Sequence, residues 1–154
     1  LLKNPQDLHK AVIQLQTENS KLKKELDGLR KLKSQILTKE LVSKIRHYKG
    51  IAFLAKEVDL DLQAIKDLAF ELGKNRDDLY LILASSKGDK PILCCYISKK
   101  LVKKKAMDAV IIVRELGKYI QGGGGGQSFF ATAGGKNHAG IPQALEAAFD
   151  FIPS

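Results

Sequence analysis

Residues 119–137 read YIQGGGGGQSFFATAGGKN. Five consecutive glycines, Gly122, Gly123, Gly124, Gly125 and Gly126, precede an alternating apolar run and a second pair, Gly134 and Gly135, that ends in Lys136. A backbone without Cβ atoms can approach another surface closely and present bare N–H groups to an anion such as a phosphate oxygen. A slack linker has the same composition. This run, however, joins a helix signal to a strand signal inside one patterned segment, where slack has no purpose. The two common nucleotide-binding glycine loops are excluded by direction. Both run strand, glycines, helix, whereas here a helix precedes and a strand follows.

Positive charge is the second chemical feature. The run Ser98 to Lys105 carries Lys99, Lys100, Lys103, Lys104 and Lys105, and Arg114 and Lys118 lie four apart on the helix that leads to the glycines. Such residues either neutralise a phosphate backbone without reading bases or form a solvated turn and helix face. The formal charge of +9 favours a polyanionic partner. Residues 1–49 hold 12 Lys/Arg against 5 Asp/Glu, residues 50–106 hold 11 against 8, and residues 107–154 hold 3 against 4. The glycines are thus outside the basic segments, and any anion they meet needs lysines brought by folding.

Other chemistry is excluded. His9, His47 and His138 sit in three separate segments without metal-ligand spacing. Asp59 and Asp61 read as helix-start residues. Cys94 and Cys95 are adjacent in PILCCYIS and point to opposite faces of a strand, which suits two reduced, separately packed thiols and a cytoplasmic setting. Phe129 and Phe130 are candidates for base stacking, but strand alternation leaves at most one available. No nucleophile–base set, ATP motif, metal site or cofactor site is present, so this segment is expected to catalyse nothing. No apolar run reaches the ~18 residues of a membrane span. The chain opens on Leu1, not methionine, which reads as a segment of something longer.

These groups must be positioned by two parts. Leu8, Leu15, Leu22, Leu29 and Ile36 recur every seven residues, with Val12 and Leu26 between them, a coiled-coil-like seam with Asp7 as N-cap. This helical arm, residues 1–47, either folds back after about Gly28, with Leu32, Ile36, Leu37, Leu41 and Ile45 on the return, or pairs with another chain. Residues 48–154 alternate strand and helix: GIAFLAKEV, then DLQAIKDLAFELGKN with Asp61 as N-cap and Gly73 as stop. DLYLILASS and KPILCCYIS follow as a hairpin, then AMDAVIIVRELGKYI with Ala109, Ile112, Val113, Leu116 and Ile120 inward. SFFATAG is the last strand and IPQALEAAFDFI, with Pro142 in its first turn, the last helix. The order predicts an α/β sandwich on a mixed four-stranded sheet, with residues 122–126 as a loop.

GGGGGQSFFATAGGK, preceded by MDAVIIVRELGKYI and followed by a short terminal helix, resembles the C-terminal domain of alanyl-tRNA synthetase, which shares its fold with the accessory domain of DHH-type phosphoesterases. The resemblance covers the whole chain. It implies a parent class II synthetase, an alanine–tRNA ligase, whose activation and editing sites lie in other domains. This piece is implied to bind alanine-specific tRNA, to act with the remaining synthetase domains and, through the arm, to help form a homodimer. The carried-over positions are Gly122 to Gly126, Gly134, Gly135 and Lys136. Gln127 departs from the histidine of the phosphoesterase loop, which argues against an accessory role in holding a small phosphorylated substrate.

Overall fold

The structure, a computed structural model, describes residues 4–154. Helix α1 (Pro5–Lys44) begins one residue after Asn4, whose side-chain oxygen accepts the Asp7 N–H at 2.9 Å. Asn4 is therefore the cap in place of the expected Asp7, and Pro5 takes the first helical position, where its missing N–H costs nothing. The helix runs 40 residues straight through Gly28, so the expected fold-back is not made. One glycine costs only about 1 kcal/mol inside a helix, too little to break one with good formers on both sides. Leu8, Leu15, Leu22, Leu29 and Ile36 are all exposed. The chain divides between Lys39 and Glu40 into two compact units. In the second unit Leu41 is fully buried.

The remaining elements are β1 (Arg46–Tyr48), β2 (Ile51–Glu57), α2 (Leu62–Gly73), β3 (Leu79–Ser85), β4 (Ile92–Ile97), α3 (Lys99–Lys105), α4 (Ala109–Gly117), β5 (Gly123–Gln127), β6 (Phe130–Gly134) and α5 (Ile141–Ala147). The sheet has six strands in the order β1-β2-β3-β4-β6-β5, with β2 and β3 parallel and every other pair antiparallel. The α/β class stands, but the four-stranded sheet is corrected. The four expected strands are its interior, and the two additions are its edges. One of these has three residues and the other is nearly all glycine, so neither carries an apolar alternation.

Every residue of β3 is buried, as an unbroken apolar run requires of a strand covered on both faces. Tyr80, Ile82, Leu93, Cys95, Ile97, Ala131 and Ala133 share one core with the buried residues of α4 and α5. By alternation Leu81, Leu83, Cys94 and Tyr96 face the other way, where α2 packs on β3 and β4. Ser98 ties β4 to the loop after α2, its hydroxyl donating to the Arg76 carbonyl at 2.8 Å and accepting the Leu79 N–H at 3.1 Å.

Helix ends follow local chemistry. Asp61 caps α2 as expected, accepting the Ala64 N–H at 2.8 Å. Helix α2 ends at Gly73, the expected stop, with Gly73 itself still helical. A Cβ there would overlap the Tyr96 ring, and the left-handed turn falls to Asn75. Ala106, at φ 53°, ends α3 and delays α4 to Ala109; Ala109, Ile112, Val113, Leu116 and Ile120 are all buried, as expected. Among the described residues no helix is long and apolar enough to cross a membrane.

Cys94 and Cys95 are both buried and unbridged. Burial pushes the Cys94 thiol up to about 12 from 9.0, and holds that of Cys95 well above its ordinary value too. Both are expected to resist alkylation at pH 8 until the chain is unfolded. Between pH 9 and 12 the unfolded chain loses thiol protons that the folded chain keeps, so stability falls as pH rises there. Denaturant midpoints across that range check the sign.

Candidate nucleic-acid interface

The glycine run is not a loop. Gly123–Gln127 form edge strand β5, paired antiparallel with β6 so that Gly123 faces Gly134, Gly125 faces Thr132 and Gln127 faces Phe130. The two faces of this strand differ. A Cβ on Gly122, Gly124 or Gly126 would overlap the carbonyl oxygens of Gly134, Thr132 and Phe130 respectively. Gly123, Gly125 and Gly134 have nothing within 4 Å of where a Cβ would stand. The glycines therefore serve two purposes at period two. Half of them permit close packing, and the others leave an open, side-chain-free floor.

Helix α4 backs the crowded face. Gly117 lets it approach, since a Cβ there would already be 3.3 Å from the Gly122 carbonyl oxygen, and the Gly122 N–H donates to the Gly117 carbonyl at 2.9 Å. Arg114 Nε donates to the Gly124 carbonyl at 3.3 Å. The Lys118 ammonium is held by both carboxylate oxygens of Glu115, at 2.7 and 2.8 Å. Arg114 and Lys118 thus belong to the helix behind the strand, not to its open side.

The other basic residues divide. Lys99 lies 5.4 Å from the centre of the Phe129 ring, at the tip of the β5–β6 hairpin. Lys100 is 3.9 Å from an Asp77 carboxylate oxygen. Lys103, Lys104 and Lys105 are exposed on the last turn of α3, where positive charge complements the helix dipole. The basic run, for which a solvated turn was one of the two readings, is thus a helix. At the other end of the hairpin, Lys136 is exposed while its N–H donates to the Ile120 carbonyl at 2.8 Å.

Sequence reasoning missed the α2 contribution. Lys66 and Phe70, one turn apart, overhang Phe130: the ammonium is 6.0 Å from its ring centre and the Phe70 ring 5.0 Å away at 33°. Tyr96 meets Phe70 edge-on at 5.5 Å. Phe129 and Phe130 are both half-buried, where at most one was expected to be available. Phe129 precedes the strand and so escapes its alternation.

The profile of the DHHA1 domain matches residues 41–154, and the chain belongs to this domain family. Its relatives within that family are specific. It is 52% identical to the Alanine--tRNA ligase of Christiangramia forsetii over 98% of this chain, and 45% identical to that of Flavobacterium psychrophilum over 99%. The chain spans 17% of the length of each. Among solved structures, the C-Ala domain of Aquifex aeolicus alanyl-tRNA synthetase is similar at a TM-score of 0.65 and 25% identity, covering 71% of this chain and 98% of that one.

Proposed function

We propose that this chain is the tRNA-binding C-terminal module of an alanine–tRNA ligase, holding alanine-specific tRNA for aminoacylation and editing performed by other domains. The observation that carries the reading is the open floor of Gly123, Gly125 and Gly134. RNA helices are recognised mainly by shape, phosphate and 2′-hydroxyl contacts, and three sheet positions without side chains let main chain meet that surface directly. Lys66 and the lysines of α3, Lys99 among them, supply charge, and the chain itself is non-catalytic. Titrations of tRNA, duplex DNA and a dinucleotide across a salt series test it. Tight tRNA binding that weakens steeply with salt is the expected result. Preference for the dinucleotide would favour a phosphoesterase-type accessory role instead.

A second reading rests on a separate observation, the exposed leucine seam of α1: a homodimer through the arm, read by sedimentation of the chain alone.

A further inference from the structure

The open floor ends against aromatic rings. Phe130 lies beside Gln127 on β5 and Tyr96 on β4, and Phe130, Thr132 and Gly134 share the face of β6 that carries the floor. Of the six phenylalanines in the chain, three (Phe70, Phe129 and Phe130) gather at this end. They are not core: Phe70 is 39% exposed, and both others are half-buried. Tyr96, whose ring occupies the space a Gly73 side chain would fill, props Phe70 in place. A cation stands over each of the two β-hairpin rings, Lys66 over Phe130 and Lys99 over Phe129.

A patch that only sealed the edge of α2 against the sheet would need neither ammonium group nor a bare floor alongside. A planar, electron-rich group attached to a polyanion uses all three. We propose that the Phe70–Phe130 pair, with Lys66 and the adjoining Gly125, is a subsite for an unstacked nucleobase, so that this surface takes an exposed base and not phosphate alone. It rests on the RNA-binding reading above. The rings provide the stacking face, Lys66 faces the phosphate that follows the base, and Gly125 leaves room for its sugar.

The test uses the 154-residue chain with two RNAs, a uniform duplex and the same duplex carrying one bulged 2-aminopurine, whose fluorescence is quenched on stacking. The expected result is tighter binding of the bulged RNA with quenching. Phe130→Leu and, separately, the more exposed Phe70→Leu should abolish the quenching and remove about ten-fold of affinity for the bulged RNA. Both should leave duplex binding unchanged, with only a modest fall in melting temperature from the lost aromatic packing. Equal binding of the two RNAs by the unmodified chain, or equal losses on both in the variants, overturns the base subsite while leaving the RNA reading intact. Binding of neither RNA overturns both.

Discussion

Valine at Gly124 is expected to cost the globular unit about 3 kcal/mol or more, lowering its melting temperature by roughly 10 °C. The added Cβ would overlap the Thr132 carbonyl oxygen and stand 2.7 Å from both the Cα and the Cβ of Ala133. Those are main-chain and sheet-bound atoms, which have no rotamer to yield. Backbone movement of β5 would also break the Arg114 bond to the Gly124 carbonyl. Valine at Gly125, one residue on, meets nothing within 4 Å and suits an extended backbone, so its melting temperature should stay within a few degrees. Its cost should fall on tRNA affinity, because a branched side chain then stands on the floor. Thermal melts and tRNA titrations on both variants decide the matter. Equal stability of the two would refute the packing assigned to Gly124, and undiminished tRNA affinity in Gly125→Val would refute the contact assigned to the floor.

Replacing Lys103, Lys104 and Lys105 together by alanine is expected to weaken tRNA binding by about one to two orders of magnitude at low salt and to flatten its salt dependence. Each phosphate neutralised contributes about 0.7–0.9 to the slope of log affinity against log salt, so three lost contacts lower it by about 2. The three side chains are exposed and none has an ion-pair partner among the described residues. Their stability role is limited to the dipole of α3, worth about 0.3–1 kcal/mol each at most, so a small fall in melting temperature accompanies the change. An unaltered salt slope would return these lysines to the role of a solvated helix end.

The parts of this fold that were legible in the sequence are those whose side chains repeat. Leu62–Gly73 and the inward residues of α4 show the helical period, Asp61 shows a cap, and the four interior strands show apolar runs bounded by turn residues. The rest was hidden for physical reasons. A glycine strand has no alternation to read, because the signal of a strand lies in its side chains, and glycine disfavours strands intrinsically. Strand β1 is too short to show a period. Gly73 carries a stop signal in sequence but serves the ring of Tyr96, a contact across 23 residues. The site divides the same way. The glycines, Lys136 and the lysines of 99–105 were visible as composition, while the placing of Lys66, Phe70 and Tyr96 beside Phe130 required α2 to cross β4. The separation of Arg114 and Lys118 from the open face required knowing which side α4 covers.

Identical residues cannot tell a strand where to stop sliding. In most strands a slip of one residue exchanges buried for exposed side chains and is opposed at every position, but within Gly122 to Gly126 each residue replaces its neighbour without any change in chemistry. Alignment is therefore imposed from outside the run. The Gly122 N–H is held by Gly117 at one end; the Ser128 carbonyl accepts from Ala109 and the Phe129 carbonyl from Ile97 at the other. Arg114 grips the middle. Between those anchors the run behaves as a ruler: adding or deleting a single glycine changes no side chain and no charge, yet it displaces Gln127 to the opposite face and breaks the match of floor to ring. The fold reads this segment by its length.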